Sequence, residues 1–258
     1  MDLAMKTTFL LAADIDGTLL GDEAGEALLH PFMAREDKNV TLAYITGRHR
    51  SSVLGLIEQG RLPRPRFICG EVGTEIFDMD DPVNRIGQAY AAQATLNWDL
   101  EEIYNIGLGD GIRPQEFERG QPRFQAGFHW DARAESLGMF HDRLSHLDHV
   151  YIQPSYNEFI DVMPITLGKG NAARFLQKQL GLSAEQVVIA GDSGNDRQMF
   201  ETEFKGIIPV NAFDELKVLA RKPWHYHSRY PAARGVFDGL RHFGFIEASH
   251  PVLRSKDS

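Results

Sequence analysis

Two aspartates, Asp14 and Asp16, stand in the run Asp14-Ile15-Asp16-Gly17-Thr18 at the end of a short apolar stretch. A strand ending there carries both carboxylates to the mouth of a site just as the chain turns, with Gly17 free to take a backbone angle closed to other residues. Such a pair suits phosphoryl transfer. Hydrolysis of a phosphate monoester is among the slowest uncatalysed reactions, and enzymes accelerate it by up to about 10²¹-fold, so several groups must cooperate. Asp14 is the candidate to attack phosphorus and form an acyl phosphate, which divides one hard step into two. Asp16 is the candidate to protonate the departing oxygen and later take a proton from water, provided it is held neutral beside the phosphate while Asp14 stays ionised near a cation. The same residues also spell an ordinary turn in which both aspartates cap backbone amides.

Three further segments bear on that choice. Thr46-Gly47-Arg48 offers a hydroxyl and exposed amides to phosphate oxygens. Lys169-Gly170 opens a helix and sets a positive charge near phosphate and nucleophile. Gly191-Asp192-Ser193-Gly194-Asn195-Asp196 adds two carboxylates and an amide directly after an apolar run. Oxygen ligands of this kind favour magnesium, which holds water tightly and bridges carboxylate to phosphate. Cys69 is the only cysteine, so neither a thiolate zinc site nor an intrachain disulfide can form. Each segment alone also reads as a turn or a helix cap. Four of them at successive strand ends are hard to obtain by chance.

The elements that position these residues alternate along the chain. Brief, partly β-branched apolar runs at 8–13, 40–45, 67–69, 187–190 and 207–210 are bounded by Gly, Pro or Asp and predict buried parallel strands. Helix-period stretches at 24–35, 50–59, 170–180, 196–201 and 212–221 lie between them. The succession predicts a doubly wound, Rossmann-like α/β sheet with its ligand site at the carboxyl ends of the strands. The middle of the chain differs: a helix at 98–107, a strand at 124–130, a helix at 132–144 and a strand at 150–153 predict a small α+β cap. It enters after Phe77 and returns near Pro164, giving a catalytic core of residues 1–80 and 162–258 and an inserted cap of 81–161.

Composition narrows the partners. The 258 residues and 43% hydrophobic content suffice for a main core with a smaller one beside it. A formal charge of -9 and a pI near 5.6 argue against a nucleic-acid or anionic-membrane surface. No stretch reaches the roughly 20 apolar residues of a membrane span, and the run at 9–13 is too short for a signal peptide. A soluble, unprocessed, cytoplasmic protein is therefore expected. His225 and His227 have strand spacing but no evident third ligand, so solvated or edge positions are expected for them. Trp98, Trp130 and Trp224 are expected to pack, and Glu101 and Glu102 to face water.

Taken together, the four segments resemble the motifs of the haloacid dehalogenase superfamily of phosphatases, as Asp14 to Thr18, Thr46, Lys169 and Asp192 to Asp196. The resemblance implies a Mg2+ held by the Asp14 side chain, the Asp16 backbone carbonyl and the Asp192 side chain. Thr18, Ser193, Asn195 and Asp196 would support that site, and Thr46, Gly47 and Lys169 would bind phosphate. The cap between the second and third motifs is similar to the large-cap branch. Within it, the stretches 42–48, 72–76, 169–172 and 191–196 resemble sucrose-phosphate phosphatases, whereas 239–244 is more similar to mannosylfructose-phosphate phosphatases. Gly17 stands where the sucrose-phosphate enzymes more often carry a larger polar residue. The substrate implied is a small sugar phosphate, sucrose 6-phosphate first, with mannosylfructose phosphate or glucosylglycerol phosphate as alternatives; a phosphomutase and a non-catalytic regulatory module are the rival functions. Gln125, His129, Asn157 and Asp161 are the candidates for contact with the sugar. A monomer is expected, with a sugar-phosphate synthase as a possible partner.

Overall fold

The computed structural model describes residues 9–36, 39–94, 97–118, 120–131, 133, 137–156, 158–219 and 221–247. Its first strand, β1 (Phe9–Ala13), alternates between two cores: Phe9, Leu11 and Ala13 face one, Leu10 and Ala12 the other. That double burial is why the run is apolar at every position. Among the described residues, β1 lies inside a seven-stranded sheet with β2 (Val40–Ile45), β3 (Phe67–Gly70), β4 (Glu75–Asp78), β9 (Val187–Ala190), β10 (Lys205–Ile208) and β11 (His225–His227). The order is β11-β10-β9-β1-β2-β3-β4, parallel throughout except for β4, which returns antiparallel along β3.

Helices cover both faces, as a parallel sheet requires. Leu29 and Phe32 of α1 (Glu23–Glu36), Val53 and Leu56 of α2 (Arg50–Glu58), and Val236, Phe237 and Leu240 of α9 (Ala232–His242) pack on one side. Tyr90 of α3 (Arg85–Ala91), Ala172 and Leu176 of α6 (Lys169–Gln179), Met199 of α7 (Arg197–Phe200) and Leu216 of α8 (Asp214–Leu219) pack on the other.

A second, antiparallel sheet runs β5-β6-β8-β7, from β5 (Ile112–Pro114), β6 (Ala126–Trp130), β7 (Val150–Ser155) and β8 (Phe159–Pro164). One face, with Phe128, Ile160 and Val162, is buried under Ile103 of α4 (Leu100–Gly107) and Phe140 and Leu144 of α5 (Leu137–Leu144). The alternate residues on the other face are more polar: Gly127, Asp161 and Gln153 lie in register across β6, β8 and β7. That face meets the main sheet's loops, where Gln153 Nε2 donates to the Gly194 carbonyl at 2.5 Å.

The parallel core and the separate α+β sheet match the expected fold class. β10 ends at Ile208, before Pro209, rather than at 210, because proline cannot extend the ladder. α8 (Asp214–Leu219) begins two residues after the start of the helix expected at 212–221. β4, β5, β8, α3 and α9 have no counterpart in the elements read from sequence. β8 pairs with β7 as far as Val150 and Pro164, so the second sheet continues beyond residue 161. Among the described residues no helix is long and apolar enough to cross a membrane.

Candidate active site

Asp14 leaves β1 with its amide on the Ala190 carbonyl of β9 at 3.0 Å, so the sheet ladder itself fixes its position. Gly17 follows at φ +75, and a Cβ there would overlap Asp192 Oδ2. The glycine thus serves two needs at once, a left-handed turn and close approach of a second carboxylate. Thr18, fully buried, donates its hydroxyl to Asp192 Oδ1 at 3.0 Å.

Lys169 begins α6 after Gly168, whose φ is +104. Its buried ammonium donates to Asp14 Oδ1 at 2.8 Å and to Asn195 Oδ1 and Asp196 Oδ1 at 2.7 Å each. Asp196 turns its other oxygen to the amides of Asp192 and Ser193, at 2.9 and 3.1 Å. Ser193 Oγ donates to Asn195 Oδ1 at 3.2 Å. The helix start is braced by Gln198, whose Oε1 accepts from the Gly170 amide, and by Tyr90, whose hydroxyl reaches the carbonyls of Gly73 and Gly168.

Thr46 is held by its amide on Cys69 O and its carbonyl on the Val72 amide; its Oγ1 accepts from Arg48 N at 3.2 Å. Arg48 then grips Asp16 with Nε and Nη2, both at 2.6 Å. Two sets of contacts therefore lie at the carboxyl ends of the parallel strands: Thr46, Arg48 and Asp16 in one, and Asp14, Lys169, Asp192, Asn195 and Asp196 in the other.

Electrostatics show what this set lacks. Burial first, opposed by Lys169 and reinforced by Asp196, pushes the Asp14 carboxyl up to about 7. Burial first, then Asp196 and Asp14, pushes Asp192 up to about 8. Burial works against the Lys169 charge, but Asp14 and Asp196 more than offset it and hold its pKa above the ordinary lysine range. Ligand oxygens of Asp14, Asp192 and Asp196 lie within 4.8 Å of one another, the one such cluster among the described residues. One ammonium cannot neutralise three buried carboxylates. Asp196 has both oxygens committed, whereas the remaining oxygens of Asp14 and Asp192 carry no hydrogen bond among the described residues. An all-oxygen, electron-rich set with two free carboxylate oxygens fits a hard divalent cation.

The residues expected to meet a sugar divide. Gln125 and Asp161 are buried together, with Gln125 Nε2 on Asp161 Oδ1 at 2.7 Å, and burial raises Asp161 to about 6 against the lowering by Gln125 and Lys169. His129 packs at a tilt against Phe159 and lines a different cavity with Arg113 and Trp130. Asn157 lies outside the described residues. Gln153, missed in the sequence, occupies the same sheet face as Asp161; Gln125 Oε1 and Gln153 Oε1 are both buried without a hydrogen-bond partner among the described residues. A lone polar residue in a strand next to proline carried no signal, and only the register reveals it. Arg48 was visible in its motif but not its grip on Asp16. His225 packs edge-on against Phe200, and Trp98 donates to Arg123 O, as structural side chains.

Comparison with known proteins bears directly on this geometry. The model of the family "Sucrose-6F-phosphate phosphohydrolase" matches residues 7–244. The chain belongs to this family. It is thus a phosphatase of the haloacid dehalogenase superfamily, a phosphoric monoester hydrolase. It is 32% identical over 260 residues to the mannosylfructose-phosphate phosphatase of Agrobacterium fabrum, across 93% of this chain and 98% of that one. It is 30% identical over 246 residues to a glucosylglycerol-phosphate synthase of Pseudomonas anguilliseptica, across 92% of this chain but 31% of the longer protein. Among solved structures, the sucrose-phosphatase of Synechocystis sp., in complex with sucrose and phosphate, superposes with a TM-score of 0.86 at 28% identity, covering 93% of this chain and 100% of that one.

Proposed function

We propose that this family member is a Mg2+-dependent sugar-phosphate phosphatase that works through an aspartyl phosphate on Asp14, with sucrose 6-phosphate as its substrate. The observation that carries the reading is the buried cluster in which Lys169 and a free oxygen on each of Asp14 and Asp192 converge. Asp14 and Asp192, with the Asp16 carbonyl, would hold the cation, which when bound neutralises charge on the transferring phosphoryl group. Thr46 and the Gly47 backbone bind the phosphate oxygens, and Lys169, whose three donors are held by Asp14, Asn195 and Asp196, exchanges one of these bonds for a phosphate oxygen. Asp14 attacks phosphorus, and the sugar oxygen leaves with the proton of Asp16. Asp16 then takes a proton from the water that attacks the acyl phosphate, which returns Asp14 as a carboxylate and releases inorganic phosphate. For the first of these steps Asp16 keeps one oxygen on Arg48 and turns the other, which carries the proton, towards the leaving oxygen.

The inserted segment is proposed to act as a cap that closes over the sugar and excludes bulk water. The polar face of its sheet, with Asp161, Gln125 and Gln153, supports that role, since orphaned acceptors there suit sugar hydroxyls. Mannosylfructose phosphate is the second reading, favoured by the likeness to the Agrobacterium fabrum enzyme over 98% of its length. Phosphate release from sucrose 6-phosphate, mannosylfructose phosphate and glucosylglycerol phosphate, with and without Mg2+, tests the proposal. Preferential, Mg2+-dependent hydrolysis of the first supports it; no release from any, or release indifferent to Mg2+, contradicts it.

A further inference from the structure

Glu71 is an anomaly in the core. It is 6% exposed, yet no donor among the described residues hydrogen-bonds its carboxylate; its nearest basic neighbour is His49, with Nε2 at 3.9 Å from Oε1. Its backbone is left-handed at φ 50, followed by Val72 at φ 56 and Gly73 at φ 77. Non-glycine residues, and β-branched valine above all, rarely adopt that conformation, and such strain persists only where the surroundings over-determine it. Here they do. The Glu71 amide donates to Arg48 O and the Val72 amide to Thr46 O. Gly73 lies so close against the Lys169 backbone that a Cβ would clash. The strained turn is therefore bolted to the segments that carry the phosphate-binding candidates, and Glu71 is held at a fixed offset from them.

Glu71 lines a cavity of about 240 Å³ between the 47–52 segment and the loop that carries Glu116, Phe117 and Glu118. Arg48, on the same wall, holds Asp16, the proposed proton donor to the leaving oxygen. Three carboxylates line it beside His49, while the Arg48 guanidinium is already engaged. Such a lining repels a phosphate and accepts hydrogen bonds from hydroxyls. Half-buried Phe117 offers the apolar surface that a sugar ring's carbon face needs. A volume below the roughly 300–1,000 Å³ of drug-sized pockets suits one ring rather than two.

We propose that Glu71 is a specificity residue that accepts a hydrogen bond from a hydroxyl of the sugar leaving group, in the cavity between Arg48 and the 116–118 loop. The inference rests on the sugar-phosphate reading above and extends it to a core residue outside the four motifs. Burial first, then Glu75 and Asp161, pushes its carboxyl up to about 7, as befits a group without a cationic partner.

The test compares two substrates on one enzyme with Mg2+: sucrose 6-phosphate, and p-nitrophenyl phosphate, which has no sugar hydroxyls. Glu71→Ala is expected to lower kcat/KM for the sugar phosphate about 10- to 100-fold, the scale of one lost buried hydrogen bond to a charged group, with p-nitrophenyl phosphate changed less than about twofold. Glu71→Gln, which keeps an acceptor, should recover most of the loss. Glu71→Asn tolerates the left-handed backbone, so it should fold even if the alanine variant does not; its amide is one methylene shorter and falls short of the hydroxyl, so it should lose the same selectivity. Equal falls on both substrates, or no fall on either, overturn the inference while leaving the phosphatase intact. Failure of the wild type on every sugar phosphate, with p-nitrophenyl phosphate still cleaved, overturns the sugar-phosphate reading and this inference with it.

Discussion

Lys169 Nζ lies 2.8 Å from Asp14 Oδ1 and directs its other two hydrogen bonds to Asn195 and Asp196. The lysine thus joins the end of β1 to the turn after β9, and its charge is what lets Asp14 approach two other buried carboxylates. Replacing Lys169 by Met leaves those acids without a cation. The expected loss of stability in Mg2+-free protein at pH 8 is about 3–5 kcal/mol, the cost of breaking a buried pair from one side. Phosphatase activity should fall at least about 10²-fold, as when a single charge-stabilising donor is removed. Urea unfolding and steady-state rates check both.

The raised carboxyls give the apoprotein a definite pH dependence. Asp14 and Asp192 titrate in the fold at about 7 and about 8, well above ordinary carboxylates, so between about pH 4 and pH 8 the native state binds more protons than the unfolded chain. Stability in the absence of metal should therefore decline as pH rises through this window. Mg2+, which favours the ionised forms, should raise Tm more at pH 8.5 than at pH 5.5. Thermal unfolding with and without Mg2+ at the two pH values measures this, and Asp192→Asn should flatten both trends.

Gly17 predicts a separable defect. Gly17→Ala forces a Cβ against Asp192 Oδ2 at a left-handed backbone position. A stability loss of about 1–3 kcal/mol should accompany a weaker response to Mg2+, because Asp192 is the residue displaced. Titration of activity against Mg2+ reads the second effect, which backbone strain alone would not produce.

Arg48→Lys should be far from conservative. The guanidinium meets Asp16 with two nitrogens at 2.6 Å, a fork that an ammonium cannot reproduce. With the Arg48 fork lost from Asp16, kcat should drop about tenfold or more, an effect confined to proton transfer. KM should change little, and a substrate with a better leaving group should lose less.

How far the sequence could be read depended on where each residue finds its neighbours. Asp14, Thr46, Lys169 and Asp192 end strands or open a helix of a doubly wound sheet, and that topology alone brings strand ends together. Their run composition therefore predicted that they share one end of the sheet. Thr18 and Asp192, 174 positions apart, follow from the same rule. The second sheet was less legible because its strands are short and one face is polar: β5 is three residues, and β8 contains Asp161 and Pro164. Gln153 and Glu71 gave no pattern at all. Gln153 matters through its register with Asp161, and Glu71 through backbone angles that no side-chain periodicity encodes.

The most direct test of the central claim asks whether phosphate passes through Asp14. Wild-type enzyme turning over sucrose 6-phosphate with Mg2+ is quenched in acid, digested and analysed by mass spectrometry, with Asp14→Asn treated in parallel. The account predicts phosphate on the peptide at Asp14 in the wild type, and neither phosphopeptide nor turnover in a folded Asp14→Asn variant. Wild-type-like phosphate release by that variant would contradict it.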